Sequence, residues 1–232
     1  MKTPLARRIA AEWIGTAFLV AAVVGSGIMG ERLSAGNMAL ALLVNTIATG
    51  AALVALILAL APISGAHFNP TVTLAVAWDG AMPWRECPGY VASQVLGGVC
   101  GAIAAHRMFG LPVISLSHHV RSGPAQLFSE FVATFGLLAV ILGCTRAQSR
   151  ATAFAVGSYI AAAYWFTAST SFANPAVTIA RSLSDTFSGI RPADSPGFIG
   201  AQLVGGFAAT LIFRWLSPIP RTQVDEAAEF TG

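Results

Sequence analysis

Apolar stretches of membrane-spanning length recur along this chain, separated by short polar and basic clusters. A helix needs about 20 apolar residues to cross the hydrocarbon of a bilayer. No Asp, Glu, Lys or Arg lies between Trp13 and Gly30, between Cys87 and His106, or between Ser195 and Phe213. Leu127 to Cys144 carries only Glu130. Each of these stretches predicts one full span.

Two further stretches do not fit single crossings. Leu33 to Trp78 runs 46 residues without those four charged types, and it is interrupted at Pro62-Ile63-Ser64-Gly65 and again at Asn69-Pro70. It predicts a full helix over about 38–61 and a half-helix over about 70–78. Ala151 to Ala180 repeats the arrangement in 30 residues, broken at Asn174-Pro175. The expected architecture is therefore all-α and membrane-embedded, with six full helices and two half-helices.

The pattern is written twice. Ala11-Glu12-Trp13-Ile14-Gly15-Thr16 is echoed by Ser129-Glu130-Phe131-Val132-Ala133-Thr134, and Asn69-Pro70-Thr71-Val72-Thr73 by Asn174-Pro175-Ala176-Val177-Thr178. The segment from Gly89 to Gly98 is echoed by that from Gly197 to Gly206. The three offsets are 118, 105 and 108, so the register drifts only through loops. Repeat one covers about 5–110 and repeat two about 124–217, within a single channel domain spanning 1–232; residues 218–232 form a short polar tail. Three spans per repeat force the copies to face opposite ways, and interrupted segments at matching places in inverted repeats mark a pathway at the membrane midplane.

Asn is a favoured helix N-cap, and Pro suits the first helical position because its missing N–H would go unused there. Each Asn-Pro pair thus starts a short helix, and inverted symmetry aims both N-termini at one midplane point. Each terminus carries roughly half a positive charge. Such a point repels cations, while the Asn amides donate hydrogen bonds to a passing hydroxyl oxygen. The arrangement favours a neutral solute.

Composition narrows the reading. The chain is 55% hydrophobic and 10% charged, against about 25% charged in a soluble domain. A net charge of +3 gives no case for a nucleic-acid partner. Cys87, Cys100 and Cys144 have no metal or redox spacing and read as packing residues. The first apolar stretch lacks a small-residue cleavage site and reads as a permanent span. Basic residues place both termini in the cytoplasm: Lys2, Arg7, Arg8, Arg85, Arg146, Arg150, Arg214 and Arg221 inside, and Arg32, Arg107, Arg121, Arg181 and Arg191 outside. The expected location is the inner (plasma) membrane. No cofactor, metal site or catalytic residue is expected: no Ser/His/Asp set, His-Glu-x-x-His motif or pair of carboxylates lies on the pathway, and His118 and His119 have no ligand spacing around them.

Ser64-Gly65-Ala66-His67-Phe68-Asn69-Pro70-Thr71-Val72-Thr73 and Asn174-Pro175-Ala176 resemble the paired signature boxes of the aquaporin and aquaglyceroporin family. The resemblance covers nearly the whole chain, including Glu12 with Gly15-Thr16 and the helices of Gln94 and Gln202. It implies the six-helix, two-half-helix fold, assembled as a homotetramer with one pore per subunit. The first box departs from the family pattern at Thr71, where Ala is usual. The second is followed by Val177, where the family has an Arg that lines the outer constriction. By family spacing the other constriction positions fall on Thr49, Ala162 and Ser171, giving a wide and weakly polar aperture.

Several residues keep two readings at this stage. Arg181, one helical turn beyond Val177, either returns positive charge to the outer vestibule or binds backbone carbonyls or lipid phosphate. Glu12 and Glu130 are either proton-relay acids or, as the resemblance implies, carboxylates that hold the backbone of re-entrant loops. His67 lines the pore mouth or gates it by protonation. The expected function is passive passage of glycerol-like polyols, arsenite and, given the extra width, methylated arsenicals, with some water. The set resembles aquaglyceroporin-like channels found with bacterial arsenic-resistance systems. A water or ammonia pore and an ion-coupled secondary transporter are the alternatives.

Overall fold

The computed structural model describes residues 3–217. Lys2, Arg221 and the tail 218–232 lie outside the described residues. Eight α-helices follow in order: α1 Leu5–Leu33, α2 Met38–Ser64, α3 Pro70–Trp78, α4 Cys87–Met108, α5 Pro124–Arg146, α6 Thr152–Phe166, α7 Pro175–Ser182 and α8 Ser195–Leu216. Five of the described helices are long and apolar enough to cross a membrane. The sixth expected span, α6, has only 15 residues, because the chain leaves the helix at Thr167 and turns inward to reach Asn174.

Helix ends follow local chemistry. The Asn37 side chain caps α2 by accepting from the N–H groups of Ala39 and Leu40, each at 3.1 Å. That helix runs past Pro62, beyond the break expected at 61. A proline removes one backbone donor, but termination needs the left-handed geometry that Gly65 supplies at φ +90°, with its N–H on the Ala61 carbonyl at 3.0 Å.

Ion pairs and hydrogen bonds define two faces. Arg8–Glu86 at 2.7 Å and Arg146–Asp79 at 2.8 Å gather the start of α1, the entry to α4 and the ends of α3 and α5 on the amino-terminal face. On the opposite face Arg32 donates to the Phe109 carbonyl at 3.1 Å, and the Ser115 N–H donates to Leu183 at 3.1 Å. The half-helices therefore descend from opposite faces, as inverted repeats require.

The repeats pack alike. α1 lies against α4, and α5 against α8. A methyl group on Gly97 would run into the Trp13 carbonyl, and one on Gly205 into the Phe131 carbonyl. Small residues let helix backbones approach this closely where lipid provides no hydrophobic drive. Large side chains such as Phe18, Leu96, Phe128 and Val204 remain exposed on the perimeter, where lipid is the solvent.

Candidate functional site

The half-helices meet through their caps. Asn69 Oδ1 accepts from Thr71 N–H at 2.9 Å, and Asn174 Oδ1 accepts from Ala176 and Val177 N–H at 3.0 and 3.3 Å. Both Asn backbones are extended, and Pro70 and Pro175 occupy the first helical turn. Each amide nitrogen then crosses to the other repeat. Asn69 Nδ2 donates to the Ala173 carbonyl, and Asn174 Nδ2 donates to the Phe68 carbonyl, both at 2.8 Å. An amide carries two N–H groups, so one per Asn stays available to the cavity that both residues line.

The turns leading into the caps are held by the two buried carboxylates. Glu12 Oε1 accepts from Ser64 Oγ at 2.7 Å and from His67 N–H at 2.9 Å. Its Oε2 accepts from Phe68 N–H at 2.7 Å and from Gln94 Nε2 at 2.8 Å. Glu130 accepts from Phe172 and Ala173 N–H, both at 2.9 Å, and from Gln202 Nε2 at 2.6 Å. Neither is exposed at all (0%), and every acceptor direction in use points at scaffold. These carboxylates offset local strain: Ala66, Phe68, Ser171 and Ala173 all take left-handed φ near +50°, a conformation costing about 1 kcal/mol or more per non-Gly residue.

A cavity of about 1210 Å³ extends into the bundle, from Trp84 and Arg85 near the amino-terminal face, past both Asn residues, as far as Arg181. Between its ends it is mostly apolar, with Leu19, Leu53, Val72, Leu137 and Val156 on its walls. His67 lines it, with Nδ1 3.1 Å from Thr73 Oγ1 and its ring 5.3 Å from that of Tyr90.

Thr49, Ser171 and Val177 line the stretch beyond the Asn pair, but Ala162 does not. It is exposed on the outer side of α6. Tyr164 takes that place, its hydroxyl 3.2 Å from Thr49 Oγ1. Two residues along a helix turn the side chain by about 200°, so a register error of two reverses its direction. The signal was in the sequence: Ala153, Val156, Gly157, Ile160, Ala163 and Tyr164 recur at the three-and-four spacing of a buried face, and all are buried.

Arg181 is 2% exposed, which rules out a lipid-phosphate contact for its head group. Its Nε donates to the Ser188 carbonyl, and its Cζ lies 3.4 Å from the centroid of the Phe172 ring. Arg121, read from sequence only as an outer-loop residue, reaches the same ring at 5.1 Å. Thr71 lies under Gly206, where an added methyl would strike Thr71 Cγ2. Its buried hydroxyl has no partner among the described residues. Among those residues no group of three or more His, Cys, Asp and Glu could hold a metal ion. His118 pairs instead with Asp185 at 3.0 Å.

Two oppositely inserted half-helices, capped by Asn and joined beside a cavity that both Asn residues line, define a membrane channel of the aquaporin type. The sequence pattern of the Major intrinsic protein family matches residues 1–162 and 145–230, and the chain belongs to that family. It is 55% identical over 228 residues to aquaglyceroporin AqpS of Rhizobium meliloti (strain 1021), with 97% of each chain covered. Aquaporin NIP1-3 of Oryza sativa subsp. japonica is 34% identical over 184 residues, 75% of this chain and 62% of that protein. The fold is shared with the X-ray structure of the aquaglyceroporin from Plasmodium falciparum at a TM-score of 0.71, with 20% identity over 90% of this chain and 96% of that one.

Proposed function

We propose that this chain is a passive channel through which small uncharged solutes cross the membrane: glycerol-like polyols, arsenite and methylated arsenicals, together with some water. The observation that carries the reading is the ring formed by Thr49, Tyr164, Ser171 and Val177 just beyond the joined Asn caps. One side of it offers hydroxyls, with Thr49 and Tyr164 in contact, and another offers the Val177 isopropyl group. A polyol has carbon on one side and hydroxyls on the other, so it can dehydrate there without leaving either part unmatched. The hydroxyl array of neutral arsenious acid would be met in the same way. Midplane hydrogen bonds come from the free N–H of Asn69 and Asn174, with Pro70, Thr71, Pro175 and Ala176 setting the two helix starts.

The aquaglyceroporin relative and the family support transport rather than catalysis. We further infer a homotetramer in the inner membrane with both termini cytoplasmic. The distribution of Arg between the two faces supports that orientation, and family membership supports the assembly.

Tyr164 favours a second reading, a pore selective for water or ammonia, because an aromatic ring fills more of the aperture than Ala162 would have done. Stopped-flow light scattering on proteoliposomes separates the two. Rapid, non-saturating entry of glycerol and arsenious acid, with water efflux, is the expected outcome. Fast water efflux without solute entry would replace the wide-channel reading with the water pore.

A further inference from the structure

The family Arg expected at the constriction is replaced by Val177, yet a guanidinium still reaches the pathway. Arg181 starts four residues later on α7, about 6 Å further along the helix axis. Its Nε is tied to the Ser188 carbonyl, and its charged face rests on the Phe172 ring. The two terminal nitrogens have no partner among the described residues, although the residue is buried and lines the cavity.

Arg121 comes from the loop between the repeats and stands on the same aromatic ring. Its head is fixed by the Gly189 and Ser169 carbonyls at 2.8 and 3.2 Å. Neither guanidinium forms an ion pair among the described residues. Asp194, near Arg121, is engaged by Arg191 at 2.7 Å. Glu130 has its oxygens on the loop N–H groups and Gln202. Two cations against one committed carboxylate leave this end of the cavity net positive.

The geometry points to Arg181 as the charge filter of the pore, with Phe172 and Arg121 positioning it. The inference rests on the channel reading above. Size and charge are then selected at separate levels: width at Thr49, Tyr164 and Val177, and cation rejection one turn beyond. A cation entering from the opposite face meets an unscreened guanidinium in a confined, low-dielectric passage, where like-charge repulsion is far stronger than in water.

The test compares wild type, Arg181→Gln and Arg181→Lys in proteoliposomes, reading sodium leak and glycerol entry on the same vesicles. In the Gln variant the ratio of sodium leak to glycerol entry should rise roughly tenfold or more, and the Lys variant, which keeps a cation, should stay tight. Equal tightness of all three, or equal leakiness of both variants, would overturn the assignment. If the Gln variant fails to assemble, Arg181→Met, read in the same way, takes its place. Absence of both glycerol entry and water efflux in wild type would defeat the channel reading instead, and the sodium comparison would still report on Arg181.

Discussion

The two re-entrant turns are built alike up to the midplane and differ beyond it. In each repeat a buried Glu receives loop N–H groups and the amide of a Gln on the last helix. That Gln also donates to the Thr four residues after the box Asn, Thr73 or Thr178, at 2.9 Å. At the far ends the symmetry fails. The end of α3 carries Asp79, neutralised by Arg146 at 2.8 Å, with both residues partly buried. The end of α7 carries Arg181 with no acid bound to it among the described residues. Duplication has kept the scaffold, so the residues that break the symmetry are those that can discriminate among solutes.

Breaking the shared scaffold should have the largest effect. Glu130→Ala strips three charged hydrogen bonds from a strained turn and should cost about 4 kcal/mol. Glu12→Ala should cost at least as much, since that carboxylate has one acceptor bond more. Thermal unfolding in detergent measures both, and a near-native melting profile for either would mean that the turns hold themselves.

Asp79→Ala tests the neutralised end. It leaves Arg146 buried and uncompensated, which should cost about 3 kcal/mol in the same assay. A neutral outcome would show that the Phe213 carbonyl, which also accepts from Arg146, holds the guanidinium unaided.

Val177→Arg would move charge back to the level of the ring and narrow it. Glycerol entry should slow roughly tenfold, equivalent to about 1.4 kcal/mol, with water efflux less affected. Equal loss of every flux would indicate misfolding.

The smallest effect concerns helix packing beside the boxes. Gly206→Ala should destabilise by about 1 kcal/mol through its clash with Thr71 and be relieved by Thr71→Ala in the double variant. Gly98→Ala, at the matching place, faces the Ala176 carbonyl and Ala180 Cβ, both at 3.2 Å. No change at the residue-176 side chain should relieve it. Additivity in the Thr71–Gly206 pair would show that the two side chains do not compete for the same space.

What could be read in the sequence followed the range of the interactions responsible. Asn69-Pro70 and Asn174-Pro175 set the starts of α3 and α7 through contacts within three residues, so both half-helices were legible. So were the apolar spans, whose lengths a bilayer dictates. The end of α2 was placed early because a proline near a C-terminus stops a helix less firmly than a left-handed glycine. Family spacing points to Ala162 only by counting back across the loop 167–173, whose path depends on Glu130 and so on tertiary structure. The direction of the Arg181 head depends on Phe172, delivered by a turn with left-handed residues on both sides, and no local pattern announces it.

The two amide-to-carbonyl bonds between the repeats carry a last consequence. A pump alternates exposure by swinging one half of its fold against the other, and here each half is fastened to the other at the pivot. The passage works instead as an equaliser, driven by the solute's own gradient. A cell using it would retain a solute only by altering that solute chemically after entry, for instance by giving it a charge, and would shed one only while holding the higher concentration.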